Sequence, residues 1–345
     1  RLDVTTGPAR LTILLGVDVQ RIQVTSEQNF GGAPPIDVFD PTYGKEMPDP
    51  SPFADEEITQ RQIGAYLQEH LTLYEHWILT MNGRMDWAHT ETRKNLADTT
   101  TEQSDSEFSG RAGLVYASSI GINPYASYSR SFLPQLGTGT NGDPFDPELG
   151  EQWEAGVKYQ PRGMNSFLTV AVFDLTRENF LQTDPSTFQQ VQTGEANSQG
   201  IEVEGVADLG FGLELTASYT RQDVEITESV VDEDVGERPT QVREEMGTVW
   251  ADYTLQEGLL EGLGAGVGVR HLGPSYGDVP NTLKAPAVTL ADATIHYEWS
   301  GLRLQVNADN VLDNEHIAST FVSGPQGFAT YGAARTITAS LRYRW

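Results

Sequence analysis

The sequence predicts an all-β fold, an antiparallel up-and-down barrel whose strands span a membrane. Three observations predict it. Apolar and polar residues alternate along many segments, short and long connections alternate along the chain, and the composition is mixed, with 38% hydrophobic residues and 34 glycines among 345 residues. A barrel wall needs this mixture, because one face touches lipid and the other faces a polar interior.

The alternation has a period of two residues, which is typical of strands with two unlike faces. In the last segment, Ile337, Ala339 and Leu341 fall on one face, whereas Thr338 and Ser340 fall on the other. Residues 302–309 and 79–87 repeat the pattern. Periodicity alone also fits a soluble β-sandwich, in which the apolar face points inward.

The connections favour the barrel, since such barrels have short turns at one end and longer loops at the other. Tight links are predicted near 72–75, 119–122, 160–165, 209–212, 257–262 and 299–301. Long polar connections are predicted near 26–58, 93–107, 133–150, 180–196, 227–240, 274–286 and 311–330. We expect about fourteen strands of roughly ten residues or more, the length that a tilted strand needs to cross a bilayer. We expect one domain over 1–345.

The charge and the residue types argue against several classes of function. A net charge of −27, from 49 acidic and 22 basic residues, disfavours nucleic acid as a partner. The chain has no cysteine, so disulfides and thiolate metal sites are excluded. Its six histidines include no i,i+4 pair suited to zinc, and there is no G-x-S-x-G elbow. We therefore expect no enzyme and no metal site, and we interpret the acidic run 232–237 as a solvated loop.

Two further patterns bear on the barrel wall. Gly264, Gly266 and Gly268 alternate with apolar residues, which predicts a strand whose inner face is kept small, with room for a plug. Aromatic residues cluster at the predicted strand ends, where interfacial girdles would place them. These aromatic residues are Tyr66, Tyr74, Trp77, Tyr116, Tyr125, Tyr128, Tyr253, Tyr297, Trp299, Tyr343 and Trp345.

The C-terminus resembles the recognition signal of bacterial outer-membrane barrels. It is an amphipathic strand with Leu341 and Tyr343 on its apolar face, and it ends at the aromatic Trp345. At the other end, the chain has neither a starter Met nor an apolar secretion signal. We expect either that processing removed a signal or that the chain is a fragment.

Several segments in the correct order resemble TonB-dependent siderophore receptors, and together they cover essentially the whole chain. The segment 306–315 resembles an N-x-x-N-L-x-D-x-x-Y run of that family, although His316 replaces or shifts the usual Tyr. Residues 14–18 resemble a mid-barrel strand of the ferric-hydroxamate, ferrichrome-type branch. The remaining matches are residues 125–132, 151–159, 198–204, 250–253 and 331–336.

The resemblance implies a fold and a function. Barrels of this family have about 22 strands around an N-terminal plug, so the chain looks like the C-terminal part of a barrel without plug or TonB-contacting segment. The implied function is to bind a ferric siderophore outside the cell and import it into the periplasm with energy from TonB. The implied location is the bacterial outer membrane, in contact with lipid and lipopolysaccharide. No cofactor is expected, because the siderophore already chelates the iron.

The resemblance also implies where the ligand binds. Phe30 falls where the ferrichrome branch has a ligand-contacting aromatic, and Phe321 matches a second such position. In that branch a disulfide often closes the last loop, and Thr320 stands where one cysteine would be.

Two other functions remain open. The chain could be a passive porin or small-solute channel of about fourteen strands. It could instead be a non-transporting interaction protein, such as an adhesin or a β-sandwich.

Overall fold

The computed structural model describes residues 1–37, 39–139, 143–183, 190–192, 194–229, 231–323 and 325–345. These residues form antiparallel strands and one short 3₁₀ helix, Asp232–Asp234. The first strands in chain order are β1 (Leu2–Thr6), β2 (Ala9–Phe30), β3 (Ser51–Leu73), β4 (Trp77–Lys94), β5 (Thr99–Tyr116), β6 (Ile122–Leu133), β7 (Glu148–Tyr159), β8 (Phe167–Glu178), β9 (Leu181–Thr183) and β10 (Gln190–Gln192). They are followed by β11 (Glu195–Asp208), β12 (Leu213–Glu228), β13 (Glu245–Thr254), β14 (Leu263–Leu272), β15 (Ser275–Tyr276), β16 (Lys284–Ala285), β17 (Val288–Trp299), β18 (Leu302–Asp309), β19 (Ile317–Ser323), β20 (Gln326–Tyr331) and β21 (Thr336–Tyr343).

Fifteen of these strands form one sheet in which each strand pairs with the next, from β1 at one edge to β21 at the other. The two edge strands do not pair with each other among the described residues, so the wall is part of a barrel. The prediction of about fourteen strands missed β1, which has only five residues. The remaining six strands form three small hairpins within the loops, β9–β10, β15–β16 and β19–β20.

Strand pairing brings like residues together on each face of the sheet. Leu304 pairs with Leu341, and Gln305 pairs with Ser340, on the faces that the alternation predicts. Burial is the reverse of that in a soluble sheet, because Val249 on the apolar face is 58% exposed whereas Asp86 on the polar face is 2% exposed. Only eight apolar residues are buried among those that the structure describes. A β-sandwich would bury its apolar face against a second sheet, so the sandwich interpretation is wrong.

Two connections are shorter than predicted, because their flanking strands continue beyond the apolar zone. β2 and β3 pair as far as Phe30 and Ser51, which leaves 31–50 rather than 26–58 as the connection. β4 and β5 pair as far as Lys94 and Thr99, so the predicted long loop at 93–107 is a four-residue turn, 95–98. Polar residues dominate both faces of these extensions, which removes the alternation that predicts strands in the membrane.

Within the part of the chain that the structure describes, no helix is both long and apolar enough to span a membrane.

The predicted aromatic girdle is correct for some residues and wrong for two. Trp77 and Tyr116 pair on the apolar face, where their ring centroids are 4.9 Å apart. Tyr66 lies instead on the polar face opposite Gly16, and its ring occupies the space that a side chain there would fill. Tyr125 also lies on the polar face, where its hydroxyl donates to Glu154 Oε1 at 2.6 Å. A neighbouring glycine or carboxylate can thus hold a tyrosine on the polar side.

Candidate functional site: the long-loop end and the polar face

The short turns lie at one end of the sheet. The long connections and the four-residue turn 95–98 lie at the other end, where both predicted ligand-contacting residues are found. Phe30 is the last residue of β2, pairs with Ser51 and is 71% exposed. Phe321 lies in β19, pairs with Phe328 and is 42% exposed. The rings of Phe321 and Phe328 are stacked, with centroids 5.2 Å apart and planes inclined by 13°. This pair presents a flat apolar surface that sequence reasoning did not identify.

Phe30 and Phe321 lie in different hairpins. Phe30 ends β2, the second strand of the sheet, and Phe321 lies in the β19–β20 hairpin, which precedes the last strand, β21. Each is at the loop end of its hairpin, and among the described residues no hydrogen bond or ring contact joins the two phenylalanines. Their role in ligand binding therefore stays a prediction.

Thr320, the residue beside Phe321, holds its hairpin to a second loop. Thr320 is buried, and its hydroxyl donates to the backbone oxygen of Leu283 at 3.0 Å. Leu283 immediately precedes β16. This hydrogen bond connects two loops at the residue where the family resemblance implies a cysteine.

Arg243 lies in a third loop, the connection before β13, and forms hydrogen bonds to the backbone of the same region. Its guanidinium donates to the backbone oxygen of Gly273 and, at 2.9 Å, to that of Ala318 in β19. Burial lowers the pKa of Arg243, because a charged guanidinium is less stable away from water. In the described part of the chain, Arg243 forms no ion pair. No local motif marks this residue, since its two partners are 30 and 75 residues away in the sequence.

The polar face carries an ion network that crosses three strands. Arg84 in β4 bonds to Asp18 in β2 and, through Nε at 2.7 Å, to Asp86. Gln62 in β3 donates to Asp86 at 2.8 Å. Gly64 makes the crossing possible, because an added Cβ would overlap the Arg84 guanidinium. The network satisfies Asp86, which would be costly to bury alone.

The glycines of strand β14 make room for side chains from the two neighbouring strands. Gly264, Gly266 and Gly268 are buried on the polar face, as predicted for a small inner face. Trp250 from β13 and His296 from β17 occupy the space beside them. His296 is 5% exposed, and its Nε2 lies 3.1 Å from Asp252 Oδ1 across Gly264. The sequence predicts the small face but not the side chains that fill it.

The acidic segment between β12 and β13 folds into the 3₁₀ helix Asp232–Asp234. Ser229 donates to Asp234 Oδ2 at 3.3 Å. Burial raises the pKa of Asp234, and the nearby Glu233 adds to the increase. Among the residues that are described, no cluster of three or more His, Cys, Asp or Glu residues could hold a metal ion.

The three residues of the predicted C-terminal signal lie at the edge of the sheet. Leu341 and Tyr343 are on the apolar face of β21, paired with Leu304 and Leu302 of β18. Trp345 follows the end of the strand and is exposed. Their role in assembly stays a prediction.

Comparison with known families assigns the chain to a family, and the assignment agrees with the geometry of the wall. Residues 2–311 match the family model described as TonB dependent receptor-like, beta-barrel. The chain belongs to the TonB-dependent receptor family. The match covers the sheet from β1 through β18. The membership and the inverted wall place the chain in the bacterial outer membrane, and the fold is the C-terminal part of the family barrel.

Two curated relatives extend along almost all of the chain. One is a ferrichrome outer membrane transporter/phage receptor from Escherichia coli K12, 34% identical over 99% of this chain and 47% of the relative. The other is a ferrioxamine B receptor from Salmonella typhimurium, 32% identical over 99% of this chain and 48% of the relative. The chain therefore spans about half the length of the curated relatives that it matches.

Two solved structures show the same fold. The siderophore receptor PiuA from Acinetobacter baumannii has a TM-score of 0.82 and 19% identity, over 99% of this chain and 54% of that one. The closed form of the ferric-catecholate import receptor Fiu from Escherichia coli K12 has a TM-score of 0.80 and 21% identity, over 99% of this chain and 53% of that one. Both confirm the predicted barrel wall.

Proposed function

We propose that the protein is an outer-membrane receptor that binds a ferric siderophore outside the cell and imports it into the periplasm. The observation that carries the proposal is the inverted wall, with its apolar face exposed and its polar face carrying buried, hydrogen-bonded polar side chains. The names of the two relatives, a ferrichrome transporter and a ferrioxamine B receptor, favour a siderophore of the hydroxamate class. The protein needs no catalytic step in this function.

The ligand would bind at the loop end of the barrel on aromatic surfaces. A chelated iron requires no protein ligands, so the site needs apolar walls with a few hydrogen-bond donors. The Phe321–Phe328 stack and the exposed ring of Phe30 offer such walls.

Binding of ferrichrome to the full-length protein tests this site. We expect Phe30→Ala and Phe321→Ala each to weaken binding by about 10-fold to 100-fold, since burying an aromatic side chain contributes roughly 1.5–3 kcal/mol. Phe211→Ala is the matched control, because Phe211 is an exposed phenylalanine in a turn at the opposite end of the sheet. Unchanged affinity in both loop variants would remove these residues from the site.

Import would depend on TonB acting through parts of the protein outside this chain. Uptake of radiolabelled ferric siderophore should therefore stop in cells that lack TonB, while binding to the same cells persists. Uptake that continues without TonB would support the passive-channel alternative. The unpaired edge strands β1 and β21 do not favour a closed barrel of about fourteen strands.

The outer surface favours lipopolysaccharide as a second partner. Val19, Ile63 and Trp87 lie side by side on the apolar face of β2, β3 and β4. Two residues nearer the loop end, Arg21, Arg61 and His89 form a parallel row on the same face. In a chain of net charge −27, this basic row would meet the phosphate groups at the lipid boundary.

Copurification tests this contact. The triple variant Arg21→Gln, Arg61→Gln, His89→Gln should retain less lipopolysaccharide than the wild type after detergent extraction. The control variant Arg303→Gln removes a cation on the polar face of β18, near the short-turn end. Equal retention in all three proteins would contradict the contact.

A further inference from the structure

Three loops at the extracellular end are joined by hydrogen bonds that run between them. They are the segment 236–244 before β13, the segment 273–285 that contains the β15–β16 hairpin, and the β19–β20 hairpin, which we call the three-loop unit. The Gln241 amide donates to Tyr276 O at 2.7 Å, and Asn281 Nδ2 donates to Arg238 O at 3.0 Å. The Thr320 hydroxyl completes the set at Leu283 O. Each bond joins segments that are far apart in sequence.

Arg243 is the one side chain among the described residues that donates to two of these loops from the third. Its guanidinium reaches Gly273 O before β15 and Ala318 O in β19. Its own backbone oxygen accepts from Gln222 Nε2 in β12 at 3.0 Å, which anchors the residue to the barrel wall. A planar guanidinium has donors in a rigid fork that can satisfy two acceptors at once.

The hydrogen bonds place the Phe321–Phe328 stack within this unit. Ala318, which accepts the hydrogen bond from Arg243, lies three residues before Phe321 in β19. Thr320, which donates to Leu283 O, lies one residue before Phe321. Displacement of β19 would therefore displace the stacked rings. By contrast, the side-chain hydrogen bonds of the described residues in the connection after Phe30 stay within that connection, as for Lys45 Nζ to Pro35 O.

We propose that Arg243 is a positioning residue for ligand capture, which clamps the three-loop unit and so holds the Phe321–Phe328 surface ready for the ligand. The inference rests on the proposed function, because it assigns the unit to the ferric siderophore. Loops that are ordered before binding lose less conformational freedom when the ligand arrives, which increases affinity. Arg243 itself need not touch the ligand.

The test compares Arg243→Met and Arg243→Lys with the wild type in the full-length receptor. Met keeps an unbranched, flexible stem but has no donor, and Lys keeps the charge but lacks the fork. Arg162→Met is the control, since Arg162 lies in the turn at the opposite end of the sheet. Hydrogen exchange at the amides of Gln241 and Gly277 reports on the unit without ligand, and ferrichrome titration reports on binding.

We expect Arg243→Met to increase both amide exchange rates and to raise the ferrichrome dissociation constant by about tenfold. A tenfold change corresponds to about 1.4 kcal/mol, the size of one or two net hydrogen bonds. Arg243→Lys should give a smaller change in both readouts. A short thiol cross-link between Leu283→Cys and Thr320→Cys should restore affinity in the Arg243→Met background, because it replaces the clamp without replacing the cation.

Each other outcome has a distinct meaning. Faster exchange with unchanged affinity would overturn the positioning role while leaving the siderophore function intact. Full protection and affinity in Arg243→Lys would overturn the clamp, because a point charge would then suffice. A wild-type protein that binds no ferric siderophore would refute the proposed function together with the role in capture, and the exchange data would still decide whether Arg243 joins the loops.

Discussion

The substitution Val249→Arg tests which face of the wall touches lipid. Val249 is the fifth of ten residues in β13, and its cross-strand neighbours Ala217 and Val269 lie on the same apolar face. A strand of this length, tilted as in outer-membrane barrels, spans about 25 Å of membrane. Val249 is therefore near the middle of the bilayer.

The expected effect follows from that depth. An arginine on the lipid face costs about 2–4 kcal/mol at the midplane, equivalent to a change of roughly 30-fold to several hundredfold in the folding equilibrium. The assay is urea-dependent folding of the full-length protein into phospholipid vesicles, followed by tryptophan fluorescence. The midpoint should shift to lower urea, and the amount of protein in the outer membrane should fall in cells.

Ser218→Arg is the matched control for this substitution. Ser218 pairs with Thr248, one residue from Val249, and lies on the polar face beside Glu204. The new cation should be tolerated there, with a change of less than about 1 kcal/mol. Equal losses at Val249 and Ser218, or a larger loss at Ser218, would refute the assignment of the two faces.

Three further predictions concern the polar face, a loop and the C-terminus. Gly264→Val should reduce stability by about 1–3 kcal/mol in the same assay, because its Cβ would lie 2.6 Å from His296 Nε2. Gly113→Ala should be tolerated, because the nearest contact of its Cβ would be at 3.5 Å. Equal losses of stability in the two variants would contradict the packing around Gly264. Burial raises the pKa of Asp234, so the folded protein favours the protonated carboxyl. The stability that this carboxyl contributes is therefore complete below pH 3.8 and is lost as the pH rises through the raised pKa. Asp234→Asn should therefore remove this pH dependence from exchange in the 231–237 loop, by less than about 1 kcal/mol since the carboxyl is partly solvated, and an unchanged profile would contradict the burial. Deletion of Trp345 should lower the outer-membrane fraction on immunoblots while Trp345→Phe retains it, and normal insertion after deletion would argue against a C-terminal signal.

The sequence predicts the wall well where lipid imposes a two-residue period. The faces on which Leu304, Leu341, Gln305 and Ser340 lie follow from alternation alone, because a shift by one residue would exchange the two faces. A shift by two residues would keep the faces, so the pairing itself does not follow from alternation. The extensions of β2–β3 and β4–β5 could not be predicted in this way. Above the membrane both faces of the sheet meet water, so the residues that pair there lack the alternation and resemble a loop in sequence.

The remaining differences come from contacts between distant segments. Tyr66 lies on the polar face because Gly16 in the adjacent strand makes room for its ring. Nothing near Tyr66 in the sequence contains that information. The bonds from Arg243 to two loops are equally non-local. Phe30 and Phe321 were predicted from a family resemblance, and the structure places both at the loop end without yet joining them in one site.

A spin-label scan along β13 in the full-length receptor tests the central claim most directly. Single-cysteine variants at residues 248–253 would be labelled in lipid vesicles, and the accessibility of each label to oxygen and to a polar nickel reagent would be measured. This chain contributes no native cysteine that would compete for the label. Lipid exposure of the apolar face predicts high oxygen accessibility at 249, 251 and 253 and low accessibility at 248, 250 and 252. Accessibility without this alternation, or with the opposite phase, would contradict the account.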